Sequence, residues 1–409
     1  MIRYELKKFL RSGMLWAVAA LFLVLTAYWY FPRESLRDEE LSRLYEQAGT
    51  VLTKELYDAV SDANSRGQAG EASVRIAGIE GEYHPNMVLG LYYNIQNLLE
   101  MEERRLFAIQ QADYNIAEYE ANPEGNEYKL RYNRLIRQVY SERKTPYLMD
   151  ASPWLYLFDM FGQPSYYHLV EAFALCLAIL GAVYLFTADR ATGVYPVVHS
   201  SRRGRSPAYW ARAASALLYA AAAMAVFFSA TVACFAVQAD LTCWLAPVQS
   251  LYPFEHCPLN ISIAGMLALH LAFRLAVAVF MAAFAIFASC LARGRLLSLG
   301  LGLAGLGGLL GSVLYVAFHE QEVEMVSFGL SYKELLFGQA FRSWNPLCLL
   351  DTQDYLTGMD VADIAGWPVF RFVLPLLVCL AGLAAFLLLG WRLFLGGSCR
   401  APRRAGAKA

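Results

Sequence analysis

Apolar and polar positions alternate along this chain on two different length scales, and the difference divides it into two kinds of segment. Nearly uninterrupted apolar stretches run over about 12–31, 169–188, 213–237, 263–291, 296–318 and 371–395. Each is long enough to cross a hydrocarbon layer of about 30 Å as a helix. The stretch 213–237 holds no charged residue, and Arg293 and Arg295 divide one long apolar run into two helices joined by a tight turn. Residues 33–165 carry over half of the charged side chains instead. There Leu36, Leu41, Leu44, Leu52, Leu56 and Val60 recur near a helical period, which predicts a folded helical domain rather than a loop. Helices over 87–120 and 127–143, turned by Asn122, Pro123, Glu124 and Gly125, predict an αα-hairpin. Its charged faces read as solvated helix surface or as a ligand surface. Trp154, Tyr156, Phe158 and Phe161 predict an interfacial anchor before the second span.

The predicted fold class is all-α: a six-helix transmembrane bundle with a mainly helical extracytosolic domain inserted between the first and second transmembrane helices. Its parts are an amphipathic interfacial helix over 1–12, a first span over 13–31, the external domain over 32–167, five spans within 168–396 and a basic tail over 397–409. The first span ends in Tyr28, Trp29, Tyr30 and Phe31 with no small-residue cleavage site, so it reads as an uncleaved signal anchor.

Composition agrees with a lipid environment, since 57% of the 409 residues are hydrophobic and only 17% charged. Charge placement adds a direction. Arg3, Lys7, Lys8 and Arg11 precede the first span, and Arg190, Arg202, Arg203, Arg205 and Arg212 follow the second. The 238–262 connection has Asp240 and Glu255 but no Lys or Arg. The positive-inside rule then places both termini in the cytosol, in a cell (plasma) membrane. Net charge is −1 and no basic patch is interleaved with aromatics, which argues against nucleic acid as a partner; membrane lipids are expected partners.

Candidate chemistry is sparse. Gly300, Gly302 and Gly305 match a dinucleotide fingerprint, but inside an apolar span and without a preceding strand, so packing explains them better. Gly300, Ala304, Gly308 and Ser312, with Gly307 and Gly311, form ladders suited to close helix contact. His319 and Glu320 begin a zinc-protease pattern that Val323 breaks, and no P-loop occurs. No catalytic or metal-ligating set emerges, and no cofactor is expected on this chain. The eight cysteines include no C-x-x-C pair; Cys243 and Cys257 share an external connection and are either a disulfide or two free thiols. Glu171, His270 and Arg274 are the ionisable residues within spans that are most costly to expose to lipid. Glu171 and Arg274 lie at similar depth and are candidates for a buried pair, serving translocation or structure.

Residues 1–12 put Ile2, Leu6, Phe9 and Leu10 on one helical side. The connection after the second span holds Asp189, Arg190, Gly193, Ser201, Arg202, Arg203, Gly204 and Arg205. With six spans, this order of an acid, a glycine and then Ser-x-x-Gly-Arg resembles the permease subunits of type 2 ABC exporters. The resemblance implies that this connection contacts a separate ATPase, which carries ATP and Mg and drives a homo- or heterodimeric permease pair by alternating access. It implies export of an amphipathic, peptide or lipid-like substrate, with no enzyme activity on this chain. The large external insertion departs from the simplest members. The alternative is a membrane-anchored sensor or assembly protein whose external domain binds a ligand without transport.

Overall fold

The computed structural model describes residues 1–30, 38–162, 169–191, 193, 205–292, 294–325, 344–350 and 355–396. Helices dominate them: α1 (Ile2–Leu10), α2 (Gly13–Tyr30), α3 (Glu39–Ala48), α4 (Lys54–Gln68), α5 (Pro85–Ala121), α6 (Glu127–Ser141), α7 (Ser152–Gly162), α8 (Leu169–Ala191), α9 (Ser206–Ala236), α10 (Ile263–Leu291), α11 (Arg295–Met325) and α12 (Val373–Gly396). Two antiparallel strands, β1 (Val361–Ile364) and β2 (Trp367–Phe370), pair with Val361 opposite Phe370.

Among the described residues five helices are long and apolar enough to cross a membrane, namely Val170–Asp189, Ser206–Ala236, Ile263–Leu291, Arg295–Val313 and Val373–Gly396. The count becomes six if α1 and α2, which meet at a bend of 63°, are taken as one span. These helices are compatible with a membrane protein. α8 and α10 form the centre: 72% of the α8 window and 61% of the α10 window are buried, against 28% or less for α9, α11 and α12. The outer helices therefore present most of their apolar surface outward, as lipid-facing helices do.

The expected glycine ladders face the wrong way for contact within the chain. A Cβ on Gly300, Gly307, Gly308 or Gly311 would meet nothing within 4 Å among the described residues, whereas one on Gly302 would strike Ile179 of α8 and one on Gly305 would strike Phe284 of α10. The reason is helical phase. Ser298, Gly302, Leu306 and Val313 share the buried side of α11, spaced three to four residues or multiples of them apart.

The helical stripe over 36–60 is broken into two helices. Gly49, at φ +77°, ends α3, and the Thr53 hydroxyl accepts a hydrogen bond from the Leu56 N–H to begin α4. Leu44 and Val60 still meet, fully buried, in a second core with Val88, Leu91 and Ile95 of α5. The αα-hairpin forms as the sequence predicts, with Gly125 at φ +77° in its turn, and the 37-residue α5 extends about 55 Å.

Two features correct the sequence expectations. The interfacial anchor is instead α7, in which Trp154, Leu157 and Phe158 are fully buried. Trp154 donates its indole N–H to the Thr242 carbonyl at 2.8 Å and stands edge-on to Trp244 at 4.7 Å, so the ring satisfies its polar edge on protein. Tyr156 stays exposed beside it, and the Phe161 side chain lies outside the described residues. The β1–β2 hairpin was unpredicted; Ala365 and Gly366, both at positive φ, make its two-residue turn.

Close packing at Gly302 and open space at Gly308 separate two substitutions of equal size. Gly302→Leu is expected to destabilise the protein by about 1–3 kcal/mol through overpacking, lowering its thermal midpoint in detergent. Gly308→Leu leaves that midpoint unchanged.

Candidate functional site

Three clusters of charge join elements that are distant in the chain. The first lies on the face where α1 sits, called the near face here. A Pro in its first turn lets α9 start at Ser206, about two turns earlier than the apolar stretch suggests. That places Arg212 inside the helix, only 2% exposed. Its Nη2 donates to Asp189 Oδ2 at the end of α8, and its Nε lies 3.6 Å from Glu5 Oε1 of α1. Lys8 completes the group, 2.8 Å from Glu5 and 3.6 Å from Asp189. Two cations and two carboxylates thus neutralise one another, which offsets the cost of taking them out of water.

A ring stack and a hydrogen bond fix the same corner. Phe9 stacks on Tyr219 of α9 at 4.3 Å, and Tyr209 donates to the Leu387 carbonyl of α12 at 2.6 Å. The structure therefore assigns Asp189 and Arg212 to a buried clasp, where the sequence suggests a loop acid and a free basic loop residue. Of the other connection residues, Arg190 is in the last turn of α8, Gly193 is exposed at φ +72°, and Arg205 precedes α9 as its N-cap. Ser201, Arg202, Arg203 and Gly204 lie outside the described residues.

The second cluster is within the apolar helices. Arg274 Nε donates to Glu171 Oε1 at 2.9 Å, and both side chains are buried. Arg274 Nη1 also reaches the His270 carbonyl at 3.3 Å, and Nη2 the Leu350 carbonyl at 3.5 Å. The His270 ring packs on Phe158 at 5.2 Å. One guanidinium therefore gathers α8, α10, the Pro346–Leu350 turn and, through His270, α7. Glu171, His270 and Arg274 come together as the sequence allows; the Leu350 carbonyl and Phe158 were not foreseeable, since each belongs to a segment far away in the chain.

The third cluster ties α5, α6 and the residues just after them to the 255–257 segment and the β1–β2 turn, on the far face. Arg143 donates to the carbonyls of Glu255 at 2.6 Å and Cys257 at 3.2 Å, and lies over the Tyr140 ring at 3.7 Å. Tyr140 shares a 3.0 Å hydrogen bond with His256 Nδ1, and Arg104 Nε is 2.8 Å from Glu255 Oε1. At the other edge Arg131 donates to the Gly366 carbonyl at 2.7 Å and stacks over Trp367 at 4.4 Å. Burial lowers the His256 pKa despite the nearby Glu255 carboxylate, and burial likewise lowers that of Arg143. So part of the charged surface of the αα-hairpin is neither a solvated face nor a ligand surface but an internal contact.

Cys243 and Cys257 are both free thiols, so the disulfide alternative does not form. Cys257 lies fully buried in the main core, where burial pushes its thiol up to about 11. Among the described residues no three His, Cys, Asp or Glu side chains converge as a metal site. No family model matches the chain, and no curated protein or solved structure shows a significant similarity to it.

Breaking the buried pair on one side leaves an uncompensated charge. Glu171→Ala and Arg274→Ala are each expected to lower stability by about 3–5 kcal/mol, read as thermal midpoint in detergent. The exchange Glu171→Arg with Arg274→Glu recovers part of the loss, whereas two additive, unrescued losses count against coupling.

Proposed function

We propose that this chain is the permease subunit of an ATP-driven exporter of the type 2 ABC kind. In this reading the apolar helices form a six-span bundle in the plasma membrane with both termini in the cytosol, and the helical domain inserted after the first span lies outside. A separate ATPase carries ATP and Mg and engages the connection from Asp189 to Arg205. The permease works as a pair, identical or mixed, and moves an amphipathic, peptide or lipid-like substrate by alternating access.

The observation that carries this reading is the near-face clasp. The 190–205 connection is flanked by the end of α8, where Asp189 sits, and the start of α9, where Arg212 sits two turns in. A partner that displaces the connection therefore moves Asp189 against Arg212, and with them α1 through Glu5 and Lys8. α8 leads from there to Glu171, whose bond to Arg274 reaches the α10 helix and the 346–350 turn. Force entering at one face thus has a continuous path of packed helices and ion pairs along α8 to its opposite end, the kind of two-ended element that coupling requires. The chain has no P-loop, so the nucleotide must be handled by another subunit.

The sensor reading draws on the far-face cluster, because Arg143 and Arg131 would pass a ligand signal inward from the external domain. One experiment separates the two. Purified from native membranes, the permease is expected to bring down a subunit with nucleotide-binding motifs, and scrambling 193–205 with folding preserved removes it. A chain that never retains such a partner, or retains it after scrambling, contradicts the transport reading.

A further inference from the structure

An apolar cavity of about 570 Å³ opens between α1, α2 and α9 and is floored by Leu177 of α8. That size falls within the roughly 300–1,000 Å³ of ligand sites. Among the described residues no charged side chain lines it. The indole N–H of Trp16 is already satisfied by the Leu10 carbonyl at 3.2 Å, so the wall offers a guest chiefly hydrocarbon.

The length of the cavity restricts the guest further. Along α2 it runs from Leu15 to Leu23, and along α9 from Leu218 to Phe227, which is about 12–14 Å at 1.5 Å per residue. This is about half of a hydrocarbon core of about 30 Å. A transmembrane helix from a second copy needs the full thickness and a width of about 10 Å. A single acyl chain needs one leaflet.

The mouth supplies a charge preference. α1 crosses it at 63° to α2, held there by the clasp and by Phe9 on Tyr219. Lys8 is engaged by the clasp, but Arg3 and Lys7 are exposed. They stand one turn apart, on the edge of α1 next to the cavity-lining Leu6 and Leu10. Guanidinium and ammonium groups at that level match a phosphate headgroup.

We propose that this cavity holds one acyl chain of an anionic phospholipid from the leaflet on the α1 side, with its phosphate against Arg3 and Lys7. The lipid would act as a built-in wedge that keeps α1 seated over α2 and α9. The inference rests on the membrane reading of α2 and α9 and not on the ATPase partner.

The test exposes the full-length protein, purified in mild detergent, to mixed micelles of equal phosphatidylglycerol and phosphatidylcholine, followed by exhaustive washing. Retained lipid is then counted by native mass spectrometry. Wild type is expected to keep about one phosphatidylglycerol per chain, favoured about tenfold over phosphatidylcholine. Ala222→Trp fills the cavity and loses that lipid, while helix content and elution stay unchanged. Leu23→Trp fills it from α2 and serves if the first variant misfolds. Arg3→Gln with Lys7→Gln keeps a lipid but levels the headgroup preference. Equal retention in the filled variants, equal retention of both lipids by wild type, or a shift from dimer to monomer on filling would overturn the proposal, the last by showing that a protein occupies the groove. Recovery of the ATPase is unaffected by Ala222→Trp, so the two readings fail separately.

Discussion

Arg212 is a guanidinium held almost wholly out of water, and the near face is arranged around the need to neutralise it. An unpaired charge at such a depth costs several kcal/mol, so it must meet carboxylates wherever the fold can bring them. Asp189 comes from the preceding helix, across a connection whose two ends are thereby fixed. Glu5 comes from the N-terminal helix, more than two hundred residues away in sequence, and Lys8 offsets the second carboxylate. Without α1 this arrangement would keep one cation and one carboxylate, but lose the Phe9–Tyr219 stack and the lid over the apolar cavity. The clasp thus sets where α1 lies, where α9 starts and how the connection between α8 and α9 is tethered.

The same logic recurs at two further depths. Arg274 binds Glu171, in the first turn of α8, and backbone carbonyls among the apolar helices, and Arg143 binds the backbone of the 255–257 segment at the far face. Each arginine uses several of its donors at once, which suits its rigid fork better than lysine. Between these levels the helices meet through apolar contacts and through Gly302 and Gly305, which let α11 approach α8 and α10 closely. Arginine clusters specify which elements meet, and shape determines how closely they pack.

The long apolar stretches and the αα-hairpin were legible in the sequence because length, period and turn residues act locally. The pair of Glu171 and Arg274 was legible because charge in an apolar span is so costly that a partner at equal depth is the natural expectation. Arg212 misled for a related reason: it stands beside a basic connection, and charge alone does not show that the helix begins at Ser206. Trp154 and Phe158 misled because aromatic residues before a span suit an interface as well as a core, and only the Thr242 carbonyl and Trp244, about ninety residues on, decide between them. The strand pair at 361–370 gave no signal, because each strand is only four residues long and lies in the connection between two apolar stretches. The facing of α11 depends on helical phase against neighbours, which the glycine spacing does not encode.

The central claim is that buried charge, rather than lipid attraction alone, holds α1 in place. Spin labels at Tyr4 of α1 and Ser229 of α9, both exposed, measure it directly by pulsed electron resonance in lipid nanodiscs. With Arg212 intact the account predicts one narrow distance distribution, and with Arg212→Gln, helix content preserved, a broad distribution shifted to longer distances. An equally narrow, unshifted distribution in the variant would contradict it.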